Sequence, residues 1–121
     1  MNDVLKAAVE KASNGWKEAF NAGNAEGCAS FYETDATMTA QPFGTFTGRE
    51  AIQAFWQQII DGGYADVCYS DIECVQVDDQ SVRLSASWTM NKAGGVITNE
   101  LWVLQADGSM QLRIDEFEAR S

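Results

Sequence analysis

Histidine is absent from this 121-residue chain. Its absence removes Ser-His-Asp and Cys-His catalysis, histidine metal sites and imidazole acid–base chemistry. Basic residues are few: eight Lys and Arg stand against eighteen Asp and Glu, a net charge of −10. Such a chain repels phosphate backbones and anionic membrane, so neither nucleic acid nor membrane is an expected partner. No apolar run approaches the length that spans a bilayer. The first residues, Met1 to Lys6, carry an acid and no apolar signal core. No secretory leader is expected, and the expected location is cytoplasmic. Cysteine is limited to Cys28, Cys68 and Cys74. An odd, widely spaced set is no disulfide framework, and three thiols without histidine make a poor zinc site. Buried, reduced thiols are expected, with Cys28 alone having a case for reactivity, in the first turn of a short helix. No phosphate-binding glycine loop is present, and no cofactor or metal is expected.

What is present suits one globular domain over residues 1–121. Hydrophobic residues make up 45%, and the length is enough to bury a core. Leu5, Ala8, Val9, Ala12, Trp16, Ala19 and Phe20 recur at steps of three and four, which predicts a helix. Gly23 ends it, and Asn24 can cap a short helix carrying Cys28, Phe31 and Tyr32. Asp35 to Ala40 reads as the start of a strand, followed by a loop at Pro42 and Gly44. Thr47-Gly48-Arg49-Glu50 has the form of a capping box. The helix behind it carries the apolar stripe Ile52, Phe55, Trp56, Ile59 and Ile60, and Gly62-Gly63 stops it.

Beyond that point the period changes to two. Residues 65–77, 81–90, 96–104 and 110–119 read as strands joined by short turns, hence as antiparallel neighbours. Helices first and a meander after is an α+β pattern. Val82, Leu84, Ala86, Trp88 and Met90 share one face of their strand, which should look inward. The next two strands are apolar on both faces. Glu100, Trp102 and Leu104 oppose Leu101 and Val103; Arg113, Asp115 and Phe117 oppose Leu112 and Ile114. Such a sheet needs two covers, and this chain supplies helices for one. A second subunit is expected on the other face, giving a homodimer through the sheet. Two assignments of the inner face stay open. One buries Leu101, Val103, Leu112 and Ile114. The other gathers Glu100, Trp102, Arg113, Asp115 and Phe117 around a cavity under the helices.

Three stretches, in order along nearly the whole chain, resemble the nuclear transport factor 2-like superfamily in its SnoaL-like and ketosteroid-isomerase-like branch. They are Trp16 to Asn24, Phe31 to Met38, and Gly48 to Trp56. The resemblance implies a cone, in which a curved antiparallel sheet wraps around the N-terminal helices (a nuclear transport factor 2-like, or cystatin-like, fold) with a pocket at the open end. It also implies dimers through the sheet, and an inner face carrying Glu100, Trp102, Arg113, Asp115 and Phe117. Against the steroid isomerases the chain departs at key positions. Their phenolic oxyanion donor falls at Trp16, their proton-shuttling aspartate at Ala40, their second aspartate at Glu100 and a pocket tyrosine at Trp56. Ile114-Asp115-Glu116-Phe117 resembles the last-strand Asp-x-aromatic of SnoaL-like cyclases and epoxide-hydrolase-like members, where the aspartate is an acid or base. The Arg-x-Asp pair of those hydrolases is replaced here by Ser85-Ala86-Ser87.

The expected site therefore has Asp115 and Glu100 as its acid–base pair. Two close carboxyls between aromatic walls divide into one acid and one base, with Arg113 available to neutralise one. The walls expected to bind a ligand are Trp16, Phe20, Tyr32, Met38, Trp56, Trp88, Trp102, Arg113 and Phe117. A cavity lined in this way suits a hydrophobic small molecule. Three functions fit: an acid–base isomerase, cyclase, dehydratase or hydrolase; a ligand-binding module without chemistry; or a dimerisation or protein-interaction domain. The structural alternative for the pair is an Arg–carboxylate cluster that satisfies buried polar groups.

Overall fold

The computed structural model describes residues 2–120. Helix α1 (Asp3–Asn21) opens on Asn2, whose side chain accepts from the amides of Val4 and Leu5. It buries Leu5, Val9, Ala12, Trp16 and Phe20, the predicted stripe. Gly23, at φ +75°, lets the chain reverse. Asn24 then caps α2 (Ala25–Ala29) by accepting from the Gly27 amide at 2.9 Å. This helix stops earlier than the sequence suggests. Phe31 follows it, and Tyr32 begins strand β1 (Tyr32–Gln41) because its backbone pairs with Leu112.

The predicted loop at Pro42 and Gly44 is a hairpin leading into a short strand, β2 (Gly44–Thr47), with Thr47 opposite Thr37. That pairing takes Thr47 out of the capping position, so the capping box does not form. Gly48, at φ +89°, is the N-cap of α3 (Arg49–Asp61) and makes no side-chain cap. The start of α3 is anchored instead by Arg49, whose Nε donates to the Tyr32 carbonyl at 2.6 Å. Ile52, Phe55 and Trp56 are its buried face.

The meander follows as β3 (Cys68–Asp78), β4 (Ser81–Thr89), β5 (Gly94–Leu104) and β6 (Met110–Arg120). The six strands lie in the order β2-β1-β6-β5-β4-β3. α3 carries the chain to the far edge, and the meander returns across the sheet until β6 lies beside β1. Counted along the chain, that arrival runs parallel to β1, so the sheet is mixed, with its other pairings antiparallel. The curved, unclosed sheet wraps the helices, as the cone requires.

Two single-residue irregularities decide which side chains look inward. Leu84 and Ala86 face Glu100 and Ile97, so β5 carries one extra residue, Thr98. Leu101 faces Ile114 while Trp102 faces Leu112, so β6 carries an extra residue, Arg113. Each bulge shifts the two-residue period by one. Leu112, Asp115 and Phe117 therefore share the inner face. Arg113 turns outward and pairs with Glu33, Nε to Oε1 at 2.7 Å. The expectation that Arg113 stands beside Asp115 is thus corrected. On the outer face Val75, Arg83, Leu101 and Ile114 form one row across four strands.

Gly95 is required by packing. A Cβ there would collide with the Glu118 carbonyl and come within 2.9 Å of the Trp88 ring. Gly95→Ala is expected to destabilise the fold by about 1–3 kcal/mol. The measurement is a lower urea midpoint at unchanged slope. Gly94→Ala, whose added carbon would meet atoms no closer than 3.4 Å, costs markedly less.

Candidate functional site

Glu100 on β5 and Asp115 on β6 are direct cross-strand partners. They are 5% and 3% exposed, the two acids among the buried residues described. Each is held by donors from the aromatic walls. The Tyr32 hydroxyl donates to Asp115 Oδ2 at 2.6 Å, and Trp56 Nε1 donates to the Tyr32 oxygen at 3.2 Å. Trp102 Nε1 donates to Glu100 Oε1 at 3.0 Å. The sequence predicts these residues as ligand contacts; here Tyr32 and Trp102 meet the carboxyls themselves.

Burial is the main force on both acids and pushes both up, because a charge in this interior loses its hydration. Glu100 is raised to about 8, first by burial and then by the Asp115 charge, with Trp102 acting in the opposite sense. Asp115 is raised to about 7 by burial, against which the Tyr32 hydrogen bond favours its ionised form. Asp115 thus gives up its proton first and Glu100 keeps its own. Tyr32 is pushed well above its ordinary range by burial and by Asp115, so it remains a donor. The two ion pairs among the described residues lie elsewhere, Arg113 with Glu33 and Arg120 with Glu118.

The acids face a small inner cavity of about 30 Å³, room for one or two waters. Trp16, Trp56, Trp88 and Phe117 line it with them. Val67, Tyr69, Met90 and Ile97 line it too, and the sequence reading missed them. Tyr69 had a signal: it lies opposite Trp88 in the register, and parity places it on the inner face. Phe20 and Met38 sit one layer back. Phe20 stacks on Trp16 at 5.4 Å, and Met38 Sδ lies 3.8 Å from the Tyr32 hydroxyl.

Outside this cavity lies a largely apolar groove of about 780 Å³. Phe43, Phe46, Phe55, Ile59 and Tyr64 are among its walls. Trp56, Trp88, Met90 and Phe117 line both spaces and form the partition between them. Phe117 stacks on Trp56 at 5.6 Å and meets Trp88 edge-on at 6.2 Å. Cys28 does not line this cavity, and burial pushes its thiol up to about 12, which makes it a poor nucleophile. Among the described residues no cluster of three or more His, Cys, Asp or Glu is placed to hold a metal, and no helix is long and apolar enough to cross a membrane.

Known structures share this architecture. Aln2 from a Streptomyces species is similar at a TM-score of 0.86 and 16% identity, over 98% of this chain and 92% of that one. A protein provisionally named a scytalone dehydratase, from Novosphingobium aromaticivorans, is similar at 0.84 and 17%, over 100% and 89%. A ketosteroid isomerase-like protein from Erwinia carotovora atroseptica gives 0.79 and 18%, over 95% of each chain. At these identities the likeness is one of fold. No curated protein matches the sequence. The SnoaL-like domain family matches residues 14–108, most of the chain, and the protein belongs to that family.

Proposed function

We propose that this protein binds a hydrophobic small molecule at the mouth of the cone and performs acid–base chemistry on it, as an isomerase, cyclase, dehydratase or hydrolase. Asp115 is the base and Glu100 the acid. The observation that carries this reading is the buried cross-strand carboxyl pair with no cation bonded to it. A pair kept for structure would be neutralised by a partner such as arginine; this one is held by neutral hydroxyl and indole donors. The names of the dehydratase and isomerase-like neighbours agree with such chemistry. Burial of both carboxyls suits proton removal beside a carbonyl, or activation of a water, near neutral pH.

The outer row of Val75, Leu101 and Ile114 supports a second part of the proposal, a homodimer through the sheet. Val75 and Val77 on the edge strand are 59% and 49% exposed, and a subunit seated there would cover them.

Native mass spectrometry tests both parts. Freshly purified protein is measured alone and with a library of small apolar carbonyl compounds. A dimer that retains or gains a small molecule is expected. An empty protein that takes up nothing would overturn the pocket, and a monomer would overturn the dimer. The tightness of the inner cavity favours one second reading, a binding module without turnover. In that case binding depends on Trp56 and is indifferent to Asp115→Asn.

A further inference from the structure

Between the end of α3 at Asp61 and the start of β3 at Cys68, residues 62–67 pair with no strand. Side chains of other elements hold them instead. Asn91, in the turn after β4, makes three bonds to the segment. Its Nδ2 donates to the Gly63 carbonyl at 2.9 Å, its Oδ1 accepts from the Ala65 amide at 3.0 Å, and its own amide donates to the Ala65 carbonyl at 3.0 Å. Asn21, the last residue of α1, brackets Val67. Its Oδ1 accepts from the Val67 amide at 2.8 Å, and its Nδ2 donates to the Val67 carbonyl at 3.3 Å. Asn91 is exposed, and bonds that water can replace contribute little net stability. Gly63 and Asp66 take the left-handed backbone, at φ +87° and +59°; for Asp66, which has a Cβ, that conformation is strained. Val67 alone in the segment is buried. It and Tyr69 line both the small inner cavity and a surface hollow of about 380 Å³ beside Lys17 and Asn21. They are the wall between the acid pair and solvent on this side.

We propose that residues 62–67 are a gate for water. The segment swings as one unit on Gly63 and Asp66, withdraws Val67 from the inner cavity, and connects Asp115 and Glu100 to the surface hollow. Asn21 and Asn91 are its latches, positioning residues that touch no reacting atom. The gate rests on the reading of the acid pair as the reacting site, and adds the route by which water or a proton reaches or leaves it. Two observations set this side apart from the groove side. Opening it uncovers one valine, whereas the groove side is closed by Trp56, Trp88, Met90 and Phe117, with Phe117 packed on both indoles. A ligand body in the groove also covers that partition from outside, while the cavity behind it holds one or two waters. Exchange with solvent then needs a second door.

Hydrogen exchange of the ¹⁵N-labelled intact chain, without ligand, tests the gate. The reporters are the amides of Ala65 and Val67 and the indole N–H groups of Trp16 and Trp88. Both indoles line the cavity, are buried and have no acceptor, so exclusion of water is what slows their exchange. In the wild type, Val67 and the two indoles should share one opening constant. It should exceed that of the slowest amides in β5 and β6 by at least about 100-fold, since those open with the whole fold. Asn91→Ala removes two side-chain bonds to the segment and leaves Asn21 on Val67. Exchange at Val67 and at both indoles should rise by one common factor, about tenfold or more. The Gly27 amide, held by Asn24 at 2.9 Å in a separate local unit, should not change.

Several outcomes overturn the proposal. If Val67 ignores Asn91→Ala, the segment does not move as a unit. If Val67 responds and the indoles do not, water enters the cavity from the groove side and the segment is no gate. If Ala65 and Val67 exchange only as slowly as the slowest strand amides, the segment belongs to the core. The gate and the pocket reading fail separately. A gate that responds as expected in a protein that takes up no library compound stands without its ligand. A bound compound with unresponsive indoles leaves the pocket and removes the gate.

Discussion

Raising the pH from 5 to 9 should cost this protein about 5–7 kcal/mol of folding stability, the reverse of what buried ion pairs produce. In the unfolded chain Glu100 and Asp115 titrate near about 4. In the folded chain burial moves them up, to about 8 and about 7. Below the unfolded values both states hold both protons, and the pair costs nothing extra. Above them the unfolded chain releases its protons while the native chain retains them. The native state then binds more protons, so stability falls as pH rises, until Asp115 and then Glu100 ionise in place. On the acid side Glu33, lowered by Arg113, works in the opposite sense and weakens the fold as pH falls. Its partly exposed pair contributes little. Thermal unfolding should therefore show a maximum near pH 5 and a drop of about 20–25 °C by pH 9. The general repulsion of a chain at −10 also grows with pH, so the decisive comparison is with variants. Glu100→Gln and Asp115→Asn keep shape and remove the buried charge. Each should flatten the slope and match or exceed the wild type at pH 9. A wild-type curve that is flat from pH 5 to 9 would show that the carboxyls ionise without penalty and that the site is wetter than its geometry.

Much of this arrangement was legible in the sequence. The helical stripe from Leu5 to Phe20 and the alternation from Val82 to Trp88 are strong periodic signals, because each element buries one face. The turn from helices to meander gave the fold class. What escaped were features that periodicity does not encode. The strand Gly44–Thr47 is too short to show a period. Thr47 fits a capping box in sequence, but its backbone was claimed by pairing with Thr37. The parallel neighbour of β6 depends on where the chain returns after α3, a tertiary matter.

The inner face is the instructive case. Strict alternation offers two self-consistent answers, one burying Leu112 and Ile114, the other Arg113 and Asp115. The molecule takes neither. The bulge at Arg113 places Leu112 and Asp115 on the same side and turns the guanidinium out to Glu33. One inserted residue thus removes the cation that would have made the acid pair a plain structural cluster. The resemblance to pocket-bearing domains identified Glu100 and Asp115 as interior, which alternation alone left open. It could not indicate that Tyr32, the first residue of β1, would be the donor to Asp115.

That donor shapes the other large effect. With a carbonyl substrate identified from the library, Asp115→Asn should reduce turnover by about 10²–10⁴-fold, the usual worth of a positioned general base. The fold should persist, since the amide fills the same space and carries no buried charge. Wild-type turnover should follow a bell. It rises as Asp115 ionises near 7 and falls as Glu100 loses the proton it donates, near 8. Glu100→Gln should remove the alkaline limb of that bell. Tyr32→Phe separates positioning from mere packing. It takes away the hydrogen bond that favours the ionised form of Asp115, so the acid limb should move to higher pH while the alkaline limb stays. A loss of activity equal at every pH would assign Tyr32 to structure. Full activity in Asp115→Asn would take the chemistry away from β6 altogether, leaving a domain that holds its ligand between aromatic walls and does nothing to it.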